Sequence, residues 1–542
     1  MGVRELIRTW HEFYPKETPL EIEIPLLSLY DLLEHSAQLY PTNKAVIDGE
    51  KELTYLELKN ASDRFAADLY NRGFQKNNRI ALMLPNCLEY IIAYYAIHRL
   101  GGVVVQVNPL YQPNELDYIL RDSEATWFIG HDKQKKKLEQ IGLTDEFTII
   151  SANNMLENSL YSWSVAGNKD LPEMDINPKE DLAVLQYSGG TTGKSKGVML
   201  THFNLISNVH QDFTFTANAL QLKRPGESML GLTPLFHVFG NGRLNSSVYA
   251  GSTYITLEKF ELNKVVDLIR KHRPTIFPGV PTMYIALLNH PDLTADDLSC
   301  FKYCSCGSAP LPIEVINQFE EKLGISISEG FGMSETSPTT HRNPVIGQRK
   351  PGSIGIPYPN TDAKIVDIET GIHELPTGQA GELIIKGPQV TKGYWKNLEE
   401  TATALRDGWL YTGDIARMDE EGYFYIVGRK KDMIIASGYN IYPIEVEDII
   451  YQHPSVEEAC VFGVPDKYRG ETVKAAIVLK KGMCVTEQEI MDFCYKRLAR
   501  YKVPRRFEFR EQLPKSTVGK ILRRILLEEE MEKQTTITKG ER

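Results

Sequence analysis

Residues 188–195 read SGGTTGKS, glycines set among hydroxyls with one lysine. Gly189, Gly190 and Gly193 would let a backbone approach a ligand closely. Ser188, Thr191 and Thr192 offer hydroxyl donors, and Lys194 offers a positive charge. Such a set suits phosphate oxygens. The spacing misses the P-loop pattern G-x-x-x-x-G-K-[ST] at one place, where Ser188 stands for glycine. The flanking elements decide what kind of loop it is. LAVLQY reads as a strand, as before a P-loop. A P-loop then enters a helix whose N-terminus faces the phosphates. Here KGVMLTH reads as a second short strand, and a helix begins only at FNLISNVHQDF. The loop is therefore a hairpin tip, and its residues alone fit either a phosphate cradle or a flexible turn.

Cys300, Cys304 and Cys306 cluster in CFKYCSC, where metal or redox chemistry could be sought. The spacing gives no C-x-x-C pair and brings no histidine, so small buried side chains on a strand are expected instead. Seven cysteines in 542 residues, an odd count, suit a reducing compartment rather than a disulfide framework.

The length allows several domains and a large core. Hydrophobic residues at 42% and charged residues at 24% are ordinary for a globular protein. The formal charge of −10, from 61 Lys+Arg against 71 Asp+Glu, argues against nucleic acid as a partner. The first residues, MGVRELIRTWHEFYP, carry no leader-type apolar run, and Leu6 spoils a myristoylation pattern. IIAYYAIHRLGGVVVQV is interrupted by His98 and Arg99 and is not expected to span a bilayer. A cytoplasmic location is expected, with peripheral membrane contact left open.

Helix-like and strand-like runs alternate through the first two-thirds of the chain, the pattern of an α/β protein. YLELKNASDRFAADLYNRG is followed by RIALMLP, and VVDLIRKHRP by TIFPGVP. Near position 360 the pattern turns β-rich, with DAKIVDIET, GELIIKG and GYFYIVGRKKDMIIASG. After about 432 a compact α+β unit follows: helix IEVEDIIYQHP, strands EEACVFGVPD and TVKAAIVLKKG, helix EQEIMDFCYKRLARY, then a loop and a last helix ending in a polar tail expected to fray.

YSGGTTGKSKGVMLTH resembles the signature of the adenylate-forming enzymes, which include acyl-CoA synthetases, aryl-CoA ligases, luciferases and peptide-synthetase adenylation domains. Further blocks follow in the order of that family: LTPLFHVFG at 232–240, GSAPL at 307–311, GFGMSET at 330–336, GWLYTGD at 408–414, YIVGRKKDMIIASGYNIYPIEVE at 425–447 and PKSTVGK at 514–520. The blocks look most like those of bacterial medium- or long-chain fatty-acyl-CoA synthetases. The resemblance implies an α/β fold with a large multi-sheet N-terminal body, a β-rich subdomain and a small mobile C-terminal α+β domain. It implies an adenylation domain over 1–430, a hinge at Lys431 and a C-terminal domain over 432–542.

The implied reaction has two steps: a carboxylate attacks the α-phosphorus of ATP to give acyl-AMP and pyrophosphate, then the thiol of CoA displaces AMP. Joining anions requires positive charge where negative charge develops. By the resemblance Lys520 bridges carboxylate and α-phosphate, Glu335 binds Mg²⁺, His237 orients the carboxylate, and Thr191 acts with the rest of Ser188–Lys194 on the phosphates. Asp414 and Arg429 would meet the ribose, Gly307, Ser308 and Ala309 would border the adenine, and Phe331 would stack on it. Gly330, Gly332, Met333 and Ser334 complete the nucleotide-binding motif, and Val238 would pack near it. Gly438 and Tyr439 would face CoA, although Asn440 stands where some relatives carry Arg. Arg523 and Arg524 read as solvated or interface charges, and nothing is drawn from Glu329, where Gln is common.

The acyl pocket is expected among 237–245, 277–283 and 307–309. Asn241 and Gly242, after Gly240, suggest room there. Arg243 is the one charged residue in these stretches, and PLFHVFGNG lacks the Asp that would hold an amino-acid amine. A medium or long fatty acid fits best, for lipid metabolism. An aryl-CoA (coumarate-type) ligase, transfer of the acyl group to a carrier protein, and a catalytically silent scaffold are the competing readings. Oligomeric state is not legible.

Overall fold

The computed structural model describes residues 8–16, 18–153, 171–188, 195–217, 219–436, 439–466, 468–516 and 519–540, with the side chains of 188 and 534–540 excepted. Its frame is four sheets. A nine-stranded sheet runs in the order Ile356–Pro357, Thr339–Arg342, Ile327–Gly332, Tyr303–Cys306, Ile276–Gly279, Ser228–Gly231, Thr253–Thr256, Lys44–Asp48, Lys51–Thr54. Its interior strands pair in parallel, and antiparallel partners close its two edges. A six-stranded sheet runs Thr148–Ser151, Trp127–Gly130, Arg79–Met83, Val103–Gln106, Leu182–Ser188, Lys196–Thr201, parallel except for the last pair.

Parallel strands need helices on their faces, and the sequence supplies them. Helix Leu88–Arg99 is buried at every residue from Leu88 to His98, so the interrupted apolar run at 91–107 is a core helix followed by a core strand. Among the described residues no helix is long and apolar enough to cross a membrane. Helix Tyr55–Asn71 begins at a capping box in which Thr54 and Glu57 satisfy each other's backbone N–H groups. Cys304 and Cys306 lie buried on strand Tyr303–Cys306, with Cys300 half-buried in the turn before it. Among the described residues no group of His, Cys, Asp and Glu could hold a metal ion by itself.

The β-rich section is an antiparallel sheet in which strand Trp409–Met418 pairs with both Gly381–Lys386 and Phe424–Arg429. The last sheet joins Tyr439–Ile441, Ile434–Ala436, Gly470–Leu479 and Val456–Asp466, with Arg506–Arg510 added in parallel to Gly470–Leu479. That added strand was not expected from the sequence. Helices Pro443–Tyr451 and Glu487–Tyr495 pack within this unit's own core. The final helix, Arg523–Gly540, continues through most of the tail expected to fray.

Candidate functional site

The expected hairpin is present. Strands Leu182–Ser188 and Lys196–Thr201 pair antiparallel, with Ser188 opposite Lys196. Gly189, Gly190, Thr191, Thr192, Gly193 and Lys194 between them lie outside the described residues, as do Gly438, Thr517 and the Ser188 side chain.

The other candidates gather where the sheets meet. Strand Ile327–Gly332 ends on Gly330, Phe331 and Gly332, and the one-turn helix Ser334–Thr336 follows Met333. A Cβ on Gly332 would lie 2.2 Å from the Pro338 carbonyl oxygen, so only glycine fits this crossing. Glu335 is thereby carried into a buried position. The Tyr394 hydroxyl donates to its Oε1 at 2.8 Å, and the Lys196 ammonium sits over the Tyr394 ring at 5.4 Å. Burial raises the Glu335 carboxyl above its usual range, against the pull of that hydrogen bond and of Arg429. No Lys or Arg among the described residues forms an ion pair with it. A buried carboxylate short of a counter-charge is the donor a hard cation takes, with phosphate oxygens completing the shell. Tyr394, which the sequence did not single out, is the orienting partner.

Asp414 and Arg429 are register partners on strands Trp409–Met418 and Phe424–Arg429, and Arg429 Nε lies 2.9 Å from Asp414 Oδ1. Asp414 Oδ2 is buried with no hydrogen-bond partner among the described residues. An orphaned carboxylate oxygen of this kind is an acceptor awaiting a donor such as a diol. Burial raises the Asp414 carboxyl, while Arg429 and then Lys520 draw it back.

Lys520 comes from the far end of the chain to this same place. Its backbone is fixed by a reciprocal pair with Ser516, carbonyl to N–H at 2.8 Å and N–H to Oγ at 3.1 Å. Gly519 takes φ +74° and passes so close to Thr282 that an added Cβ would lie 2.6 Å from Thr282 Oγ1. The Arg429 guanidinium first, and burial second, lower the Lys520 ammonium to about 8, with Asp414 opposing. Lys520 is also felt at His237, which burial chiefly lowers to about 4. His237 caps helix Val238–Tyr249, its Nδ1 accepting the Phe239 N–H at 3.2 Å. The ring is therefore neutral with its proton on Nε2, ready to donate to an oxygen.

Gly307, Ser308 and Ala309 follow strand Tyr303–Cys306, with Ser308 held at φ +70°. Phe331 is half-buried, its ring edge-on to His341 at 6.1 Å. Val238 is buried in the main core. Lys431 is exposed between two ion pairs: Lys430 to Glu382 at 2.9 Å on one side, Asp432 to Arg523 at 2.6 Å on the other. Tyr439 is exposed and stacks on Tyr501 at 4.6 Å.

Of the two readings of Arg523, solvated or interface charge, its contacts fit the second: it donates to Asp432, to Glu447 at 2.7 Å and to the Val461 carbonyl at 2.7 Å, pinning the start of the last helix to the strand and helix beside it. One expectation is corrected. Gly240 and Gly242 do not make room, because an added Cβ would lie 2.1 Å from the Pro234 oxygen at one and 2.9 Å from Pro338 Cδ at the other. They let helix Val238–Tyr249 pack closely. Asn241 is buried as well, accepting the Tyr94 hydroxyl at 2.9 Å. Glu329, from which the sequence drew nothing, is buried and raised to about 8 by that burial, although its carboxylate accepts the Gly352 N–H at 3.0 Å.

The chain matches the AMP-binding enzyme family over residues 33–395 and the AMP-binding enzyme C-terminal domain over residues 445–520. A long-chain-fatty-acid–CoA ligase of Bacillus subtilis is 46% identical, the alignment covering 97% of this chain and 98% of that protein. One from Escherichia coli is 37% identical, over 96% and 98%. The crystal structure of ATP-bound MatB from Rhodopseudomonas palustris superposes with a TM-score of 0.84 at 32% identity, over 93% of this chain and 99% of that one.

Proposed function

Since the chain belongs to the AMP-binding enzyme family, we propose a division of labour among its residues for the activity that its relatives support. The protein is a fatty acid–CoA ligase, an AMP-forming acid–thiol ligase that acts through acyl-AMP with ATP and CoA as substrates. The observation that supports the residue assignment is that Lys520, Arg429 and His237, all half-buried, gather about the buried Asp414, with Glu335 close enough to feel Arg429.

In the first step Lys520 holds its proton and draws the fatty carboxylate and the α-phosphate together, which lowers the cost of bringing two anions into contact. His237 donates from Nε2 to the carboxylate and keeps it oriented. Asp414 Oδ2 accepts from a ribose hydroxyl, and Arg429 holds Asp414 in place. Gly307–Ala309 and Phe331 form the adenine wall. Gly330, Gly332, Met333 and Ser334 shape the turn that presents Glu335, and Ser188–Lys194 with Thr191 cradle the leaving pyrophosphate. Glu335, oriented by Tyr394, would hold Mg²⁺, which supplies charge neutralisation at the phosphate oxygens.

For the second step Lys520 must leave and a thiol must enter. The unit over 432–542 turns against 1–430 at Lys431 and brings Gly438 and Tyr439 to CoA. The ion pairs on either side of Lys431 support that position, because each ties one neighbour to its own side. A medium or long chain is the proposed substrate range, and the cytoplasm the proposed location, supported by free cysteines that are mostly buried.

The test is a competition. Purified protein receives ATP, Mg²⁺, CoA and a mixture of octanoate, palmitate, benzoate, coumarate and amino acids, and thioesters are read by mass spectrometry. Octanoyl- or palmitoyl-CoA should dominate and should vanish in Lys520→Ala. Dominant aromatic thioesters would overturn the fatty-acid reading, and pyrophosphate without thioester would point to a carrier protein as acceptor.

A further inference from the structure

Strand Ser228–Gly231 gives way to a turn, residues 232–236, that leads into His237 and helix Val238–Tyr249. A turn outside helix and sheet must find partners for its backbone carbonyls elsewhere. Four in succession have them. Thr233 accepts the Asn86 side-chain amide at 3.0 Å, and Pro234 accepts the His237 N–H at 3.0 Å. Leu235 accepts the Tyr90 hydroxyl at 2.9 Å, and Phe236 accepts the Gln186 side-chain amide at 3.1 Å. Asn86 Oδ1 also accepts the Leu235 N–H at 2.7 Å. Three of the four carbonyls are therefore held by side chains from outside the turn.

Those three side chains belong to the six-stranded sheet and its helix, whereas the turn extends from the nine-stranded one. Asn86 follows strand Arg79–Met83, Tyr90 is on helix Leu88–Arg99, and Gln186 is on strand Leu182–Ser188. All three are buried. Gln186 stands about 7 Å before Ser188, where its strand enters the phosphate loop. Its register partner on the neighbouring strand is Gln106, whose side-chain amide meets the Tyr90 hydroxyl at 2.6 Å. Two glutamines side by side thus reach toward the His237 turn, one directly and one through Tyr90.

The turn is gripped from the other side as well. Helix Val238–Tyr249 folds back so closely that a Cβ on Gly240 would lie 2.1 Å from the Pro234 oxygen. Gln186 Oε1 is buried with no hydrogen-bond partner among the described residues. A buried amide with one end unanswered is costly, and an aliphatic side chain would fill the same space without that cost. The contact from Nε2 to Phe236, the residue before His237, is what the amide provides in return.

We propose that Gln186 and Tyr90 are positioning residues for the adenylation step. They hold the His237 turn against the sheet that carries the phosphate loop, so the carboxylate oriented by His237 meets the phosphates at a fixed spacing. This rests on the role given to His237 above. Neither side chain touches substrate, and both act through His237.

Gln186→Met and Tyr90→Phe keep the buried volume and remove only the hydrogen bonds. Acyl-AMP formation from palmitate, ATP and Mg²⁺ is followed in a single turnover, in each variant and in each combined with His237→Ala. Folding is checked by thermal melting, and should one variant fail to fold, the other carries the cycle. Each single variant should slow acyl-AMP formation by about 10-fold, as a displaced reacting group does, with little change in KM for ATP. Thioester formation from supplied acyl-AMP and CoA should be spared. In the His237→Ala background the same changes should cost nothing further, because the group they position is gone. A loss of stability alone would not produce that non-additivity. Wild-type rates in the folded single variants overturn the assignment, and so does a loss that persists undiminished beside His237→Ala. Wild-type acyl-AMP formation in His237→Ala itself overturns the role of His237, and this assignment with it.

Discussion

Arg429 Nε lies 2.9 Å from Asp414 Oδ1, on the neighbouring strand, and the same guanidinium is the largest influence on Lys520. The pair sets opposite pressures on the lysine: Arg429 pushes its proton off and Asp414 holds it on. With the ammonium lowered to about 8, adenylation that needs protonated Lys520 should fall as pH rises through about 8. The profile of kcat/KM for ATP reports this, because it follows groups of the free enzyme. In Arg429→Met the rate drops throughout, and the alkaline limb moves to higher pH. In Asp414→Asn it moves to lower pH. An alkaline limb that stays in place in both variants would remove Lys520 as its origin.

The two half-reactions should separate at Lys520. Lys520→Ala should lose about 10²–10³-fold in acyl-AMP formation, the usual effect of removing a charge aimed at a developing one. Thioester formation from supplied acyl-AMP and CoA should change little, since Lys520 has left by then. Equal loss in both assays would mean that the lysine supports the fold rather than the first step.

Glu335 and Tyr394 should be separable by magnesium. Glu335→Gln removes the charge that would hold the ion, so the Mg²⁺ concentration for half-maximal adenylation should rise by at least ten-fold. Tyr394→Phe removes only the 2.8 Å hydrogen bond to Oε1 and should raise it a few-fold. A Glu335→Gln variant with unshifted Mg²⁺ dependence would move the metal elsewhere.

How much of this was legible in the sequence depends on how far apart the cooperating residues lie. The hairpin at 182–201 could be read from a strand that does not run into a helix, which is local information. The run at 91–107, interrupted by His98 and Arg99, could be excluded as a bilayer span, but that it is a buried helix followed by a buried strand shows only in the packing. Strand Arg506–Arg510, RFEFR, was missed because its alternation is carried by only two apolar residues and its partner is Gly470–Leu479. Whether Arg523 was a solvated or an interface charge stayed open for the same reason: its acceptors Asp432, Glu447 and Val461 lie 62 to 91 residues away. A glycine beside a motif reads as room in a sequence, yet Gly240 and Gly242 are filled by Pro234 and Pro338, which only the packing reveals.

Arg523 ties the beginning of the last helix, just beyond Lys520, to Asp432 beside the hinge. Arg523→Ala leaves Asp432 and Glu447 without their shared cation. It should destabilise the C-terminal unit by about 3 kcal/mol, as breaking a largely buried ion pair does. Hydrogen exchange would show the opening in helix Pro443–Tyr451 and strand Val456–Asp466, with the nine-stranded sheet unaffected. Uniform loss of protection would mean that Arg523 supports the whole molecule.

Gly519 offers the sharpest test of docking. It combines φ +74° with a close approach in which an added Cβ would stand 2.6 Å from Thr282 Oγ1. Thr282 is in helix Pro281–Leu288, which follows a strand of the nine-stranded sheet, so this contact is where the lysine loop meets the body. Gly519→Ala should therefore push Lys520 away from the Asp414–Arg429 pair and lower acyl-AMP formation by at least ten-fold. Thioester formation from supplied acyl-AMP should be spared. Two causes contribute, the left-handed backbone and the clash, and Thr282→Ala separates them. Removing Oγ1 relieves the clash and leaves the backbone strain, so the double variant should recover part of the lost rate, more than the sum of the single effects allows. Strict additivity would show that the backbone conformation alone demands glycine and that Thr282 does not guide the loop.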